Sequence, residues 1–223
     1  MVASIAMALA VFAFESVRLG VTIDEVELGP YSIAVLVIGN LAAFAGVPWL
    51  ASRRKGLSSL RLDFGLWFRP IDLAVGFGAG IAGLLGAGVV GTAIDKAFGA
   101  NEGTSNVPVD TLRGPGEVIV FFAAVAVVTP VIEELFFRGL LYRSFRKRGA
   151  PAWRATAWTT LIFVVPHLTA ADGLGPLLSL AASIGVLGLA FNLACNITGG
   201  RLGAPIVAHV VVNGAAVIAL ALS

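Results

Sequence analysis

Long apolar runs constrain this chain more than any other feature. Stretches at roughly 2–19, 31–50, 73–94, 118–141, 153–170, 174–195 and 203–222 carry few charges. Most reach the ~18 residues at which a helix becomes long enough to cross a bilayer. Apolar side chains fill these runs continuously instead of recurring at a helix or strand period. Only 13% of the 223 residues are charged, about half the share usual in a soluble domain. A water-soluble enzyme and a nucleic-acid binder are poor readings of such a chain. The expected architecture is an all-α polytopic transmembrane bundle of about seven spans (six to eight), built as one integral membrane domain over residues 1–223.

The charges between the runs sort by side. Arg53, Arg54, Lys55, Arg61 and Arg69 lie between the second and third runs. Arg143, Arg146, Lys147, Arg148 and Arg154 follow between the fourth and fifth, and Arg201 between the sixth and seventh. The other connections hold Asp24, Glu25, Glu27, Asp95, Glu102, Asp110, Glu117 and Asp172 with few bases. Cytoplasmic loops carry the excess of Lys and Arg, so the N-terminus and the basic connections are expected in the cytoplasm. The first run is the weakest span, because Glu15 and Arg18 interrupt it. It lacks the basic start and cleavage pattern of a signal peptide, so it reads as a retained span. Residues 52–72 set Phe64, Trp67 and Phe68 among basic residues, as an interfacial segment or a plain cytoplasmic loop would. Residues 95–117 read as a polar external connection.

Two patterns inside the runs carry structure, not chemistry. Gly78 to Gly83 matches G-x-G-x-x-G, but no strand precedes it and no acidic ribose partner follows, so it is no dinucleotide site. Gly76, Gly80, Gly83, Ala87 and Gly91 instead form a stripe of small residues on which neighbouring helices can approach closely. The single cysteine, Cys195, allows no intramolecular disulfide and reads as packing.

An ionisable side chain at the centre of a span costs roughly 2.5–3.5 kcal/mol on insertion scales, so each one demands a reason. The fourth run holds Glu133, Glu134 and Arg138, while the only two histidines, His167 and His209, fall in the fifth and seventh. Glu134 and Arg138 stand at i and i+4, the order that favours an ion pair on one helix face. Glu133 is turned about 100° away and lacks that partner. His209 and Asn213 also share a face. Glu133 lies as many residues before the Gly149–Pro151 break as His167 lies after it, so an antiparallel hairpin brings the two level. Pro130, Pro166 and Pro205 flank the polar positions and can kink the helices there.

A carboxylate and a histidine facing each other inside the bilayer can hold and deprotonate a water molecule. A second histidine with a nearby amide can donate hydrogen bonds to a developing oxyanion. Those parts suffice to hydrolyse a peptide bond. Glu133, His167 and His209 also make the ligand list of a catalytic zinc site with one open position. H-E-x-x-H is absent, and no serine or cysteine has a claim as nucleophile.

Glu133-Glu134-Leu135-Phe136-Phe137-Arg138 fits E-E-x-x-x-R, Phe163 to His167 fits F-x-x-x-H, and His209 to Asn213 fits H-x-x-x-N. In that order, on separate helices, the three motifs resemble the CPBP family of CAAX proteases and bacteriocin-processing or self-immunity proteins, also called Abi. The resemblance spans about residues 115–222, the expected catalytic core. It implies an intramembrane endopeptidase, CAAX-protease-like, acting on a membrane-associated or lipidated protein or peptide. Carried over, Glu133 and His167 activate the water, and His209 and Asn213 stabilise the oxyanion. Glu134, Arg138 and Phe163 support them. The family is commonly labelled metalloprotease, although a metal-free, glutamate-activated mechanism fits its motifs as well, so Zn2+ or no cofactor are both open. The expected location is the plasma membrane of a prokaryote. A proton-coupled carrier and a non-catalytic immunity protein are the competing readings, because intramembrane Glu and His also build proton relays.

Overall fold

The computed structural model describes residues 13–22, 30–98, 119, 122–171 and 173–222. Among them every regular element is helical and no strand occurs. The helices are α1 (Pro30–Lys55), the short α2 (Leu60–Phe64), α3 (Ile71–Phe98), α4 (123–147), α5 (Ala152–Val164, prolonged by a 3₁₀ stretch Val165–Ala170), α6 (Leu174–Ile197) and α7 (Gly203–Leu222). By length and composition α3 and α6, with 28 and 24 residues, are apolar enough to cross a membrane. At 1.5 Å per residue they extend about 42 and 36 Å. The expected first span lies outside the described residues up to position 12, and the expected external connection from 99 onward. In the part of that first run that is described, Glu15 and Arg18 pair with each other at 2.5 Å.

The glycine stripe is the face that α3 turns to its neighbours. Gly76, Gly80, Gly83, Ala87 and Gly91 are all buried. A Cβ on Gly76 would stand 2.5 Å from the Ala204 carbonyl oxygen and 2.5 Å from Val207 Cβ; one on Gly80 would stand 2.9 Å from the Ala208 oxygen. Toward its other end α3 meets α6, where Ser183 Oγ donates to the Ala87 carbonyl at 3.2 Å. The backbones therefore approach as closely as hydrogen side chains allow. A Gly76→Val substitution has to push α7 away from α3. It is expected to destabilise the protein by about 1–3 kcal/mol, the usual cost of overpacking. Denaturant unfolding in detergent measures this, and an unchanged midpoint would show that the two helices do not meet here.

The basic connections meet at one end of the bundle. Leu202 N–H donates to the Gly65 carbonyl at 2.9 Å. Arg143 Nη2 donates to the Gly200 carbonyl at 2.6 Å. Arg201 pairs with the buried Asp72, Nη2 to Oδ1 at 2.6 Å. The segment 52–72 is thus folded onto the bundle, not free. Phe64 is buried in a cluster with Leu135, Cys195 and Leu202, which also accounts for the cysteine as packing. Ser59 caps α2 by accepting from Leu62 N–H, and Gly65 ends it with a left-handed φ of 75°, a conformation that costs glycine little. The Ser52 hydroxyl donates to Asp63 at 2.6 Å. That bond and the Leu57 N–H hold the Asp63 carboxyl below the usual carboxylate range. This tie is complete above the unfolded carboxylate's pKa and is lost as pH falls through the lowered value.

In α4 the helix departs from the regular geometry expected of the fourth run. Ala123–Val128 and Leu135–Tyr142 are wound as π turns, with the α-helical Thr129–Glu134 between them. Pro130 is the second residue of that central piece and gives the first departure a cause. Its ring clashes with the carbonyl four residues back and it has no N–H to give, so the preceding turn widens. π turns inside α-helices occur mostly at functional sites. Here they flank both glutamates.

Candidate active site

Four helices contribute the polar residues of the site, of which Glu134, Arg138 and His209 are buried. α4 supplies Glu133, Glu134 and Arg138, α5 supplies Phe163 and His167, α6 supplies Phe191 and the Gly188 carbonyl, and α7 supplies His209 and Asn213. Glu134 and Arg138 have no exposed side-chain surface, and Arg138 Nη1 donates to Glu134 Oε1 at 2.8 Å. The pairing expected from the i, i+4 spacing is present, although Arg138 lies in a π turn. Arg138 Nη2 donates to the Gly188 carbonyl at 3.0 Å, tying α4 to α6. Its guanidinium carbon also lies 4.8 Å from the Phe163 ring centroid and 5.3 Å from that of Phe191. A buried guanidinium held by one carboxylate, one carbonyl and two aromatic faces keeps much of the stabilisation it lost with water.

His209 joins the two glutamates. Its Nδ1 lies 3.0 Å from Glu134 Oε1, and its Nε2 lies 3.7 Å from Glu133 Oε2. An ionised carboxylate only accepts, so Nδ1 carries the hydrogen. That leaves Nε2 as the other ring nitrogen, and it faces Glu133. Phe191 stacks on the imidazole at 4.6 Å with the planes 23° apart, and Phe163 meets its edge at 5.8 Å.

His167 and Asn213 stand further out. His167 Nδ1 donates to the Phe163 carbonyl at 2.9 Å, which leaves Nε2 available. Its ring packs on Phe163 at 5.0 Å. Among the described residues no hydrogen bond or ion pair joins it to Glu133, and the Phe163 ring contacts both imidazoles. The Val165–Ala170 stretch around Pro166 winds more tightly than an α-helix, so a residue count along a straight hairpin does not by itself fix where His167 points. Asn213 Nδ2 donates to the Val125 carbonyl at 3.0 Å, in the first π turn of α4. The amide has a second N–H, so this bond does not exhaust it.

Among the described residues no three of His, Cys, Asp and Glu gather into a set that could hold a metal ion. Glu133, His167 and His209, as placed here, do not fit a three-ligand zinc site. Sequence reasoning missed Phe191 and Gly188. An aromatic ring inside an apolar run, and a backbone carbonyl, carry no local signal that marks them as neighbours of a histidine or an arginine.

Residues 115–215 match the family model described as type II CAAX prenyl endopeptidase Rce1-like. No curated protein and no solved structure matches the chain. The matched span contains all three motifs and every side chain of the cluster just described. Residues 115–215 are therefore similar to a type II CAAX prenyl endopeptidase Rce1-like domain, consistent with the CPBP family.

Proposed function

We propose that the chain is an intramembrane endopeptidase that hydrolyses a peptide bond of a membrane-associated or lipidated protein or peptide. The observation that carries this is His209 suspended between two glutamates inside an apolar bundle. Two groups 3.7 Å apart can both reach one oxygen atom at hydrogen-bond distance. Glu133 takes a proton from water there, and the hydroxide attacks the scissile carbonyl. His209, held by Glu134 on Nδ1, donates from protonated Nε2 to the oxyanion. Asn213 supplies the second donor through its remaining N–H, and His167 Nε2 shares the water with Glu133 or passes the proton on to the leaving amine. Glu134 and Arg138 position His209 without touching substrate. Phe163 sets both imidazole rings.

The same reading keeps about seven spans, a cytoplasmic N-terminus and a prokaryotic plasma membrane, with residues 115–222 as the catalytic core. The steps above run through the chain's own groups.

The direct test uses purified protein in detergent with a prenylated peptide ending in C-a-a-X and, separately, a hydrophobic membrane-spanning peptide, read by mass spectrometry. Cleavage of either, lost in His167→Ala, is the expected result. Intact peptides in both arms, with the protein folded, would overturn the reading. Asn213→Ala is expected to slow turnover about 10²-fold or more, as loss of an oxyanion donor does. Its melting temperature should move little, since the amide makes one partly buried bond to Val125. An unchanged rate would remove Asn213 from the site.

A further inference from the structure

Away from the polar cluster, three arginines converge on one indole. The guanidinium carbons of Arg61, Arg69 and Arg201 lie 5.7, 4.8 and 5.4 Å from the Trp67 ring centroid. Arg201 is neutralised by Asp72. Among the described residues neither Arg61 nor Arg69 has a carboxylate at ion-pair distance, and both are exposed. Three guanidiniums around one ring, with Asp72 paired to one of them, leave the spot positive.

A guanidinium that lies over an aromatic ring spends its face on that contact, while its N–H donors lie in its plane and stay free. Two such forks lie within 5.7 Å of one ring centroid, and a guanidinium fork matches the oxygens of a tetrahedral anion. Their height in the membrane follows from the chain. Trp67 and Arg69 immediately precede α3, a helix apolar enough to span, which begins at Ile71, and Arg201 immediately precedes α7. Around them Leu62, Phe68 and Ile71 are 64%, 49% and 56% exposed, as suits side chains that enter the acyl boundary. Trp49 with Arg53 at 5.4 Å and Trp153 with Arg154 at 5.0 Å repeat the pairing at other basic helix ends. Tryptophan and arginine together mark the headgroup layer.

We infer that Arg61 and Arg69, stacked on Trp67, form a binding site for the phosphate of an anionic phospholipid headgroup. The site is independent of the proteolytic reading. The test titrates full-length protein in detergent with short-chain phosphatidylglycerol, phosphatidylcholine or inorganic phosphate, following thermal stability and tryptophan fluorescence. Phosphatidylglycerol should bind and raise the melting temperature, while the other two should have little effect. Arg61→Gln with Arg69→Gln should weaken phosphatidylglycerol binding about 30-fold, the worth of two basic residues at an anionic surface. Arg146→Gln with Lys147→Gln removes the same charge from the same end and should cost about 3-fold or less. Arg69→Lys keeps the charge, loses the planar fork, and should still weaken binding several-fold. Equal losses in the two double variants, full binding by Arg69→Lys, or equal binding of phosphatidylcholine or inorganic phosphate would each overturn the proposal.

Discussion

Glu133→Gln is expected to reduce peptide cleavage by about 10²–10⁴-fold, the contribution of a positioned general base. The amide is almost isosteric with the carboxylate but cannot take a proton from water at neutral pH. It leaves the network behind it intact, because Arg138 and His209 are both held by Glu134. The variant should therefore fold and melt like the parent protein. Single-turnover cleavage of a hydrophobic or prenylated peptide is the measurement. Retention of more than about a tenth of the activity would move the base to another residue. It would also remove the reason for placing chemistry on the side of His209 that faces Glu133.

Arg138→Met is expected to act on stability. Methionine fills much of the volume but takes away the guanidinium that Glu134 pairs with, in a position that is 0% exposed. Among the described residues Glu134 Oε2 already has no hydrogen-bond partner, so there the carboxylate then depends on His209 alone. Breaking a buried pair by removing one partner costs about 3–5 kcal/mol, because the remaining charge is uncompensated. Truncating both partners, as in Glu134→Leu with Arg138→Met, should recover much of that loss. It should not restore cleavage, since His209 Nδ1 no longer has an acceptor to fix its tautomer. Denaturant titration in detergent compares the three proteins. If Arg138→Met melts within about 1 kcal/mol of the parent, the pair is not the strut described here.

These two variants separate the roles of adjacent glutamates that a helix turns to different sides. The sequence already carries that distinction. The i, i+4 spacing assigns Arg138 to Glu134 and leaves Glu133 unpaired, and the pairing survives the π winding of α4. The apolar runs likewise announce the helices, and the small-residue stripe on α3 announces a close neighbour. Each of these rests on contacts within one helix or on the composition of one run.

The relation of His167 to Glu133 was not legible in the same way. Residue counts on either side of the Gly149–Pro151 turn set the two level only if both helices rise uniformly. Pro130 widens one helix and the turn around Pro166 tightens the other; His167 rests against Phe163, and His209 lies beside Glu133. Small changes in rise and rotation, summed over several turns, decide which imidazole faces the acid.

What the sequence determined alone is the membrane-helical class, the ion pair on α4 and the set of polar residues available for chemistry. Local spacing and side-chain polarity are enough to specify these. Which helix faces which, that the Phe191 ring stacks on His209, and that the Gly188 carbonyl receives Arg138 were decided only by the tertiary structure. Those contacts join residues far apart in the chain, and apolar runs with little periodicity leave helix rotation to packing.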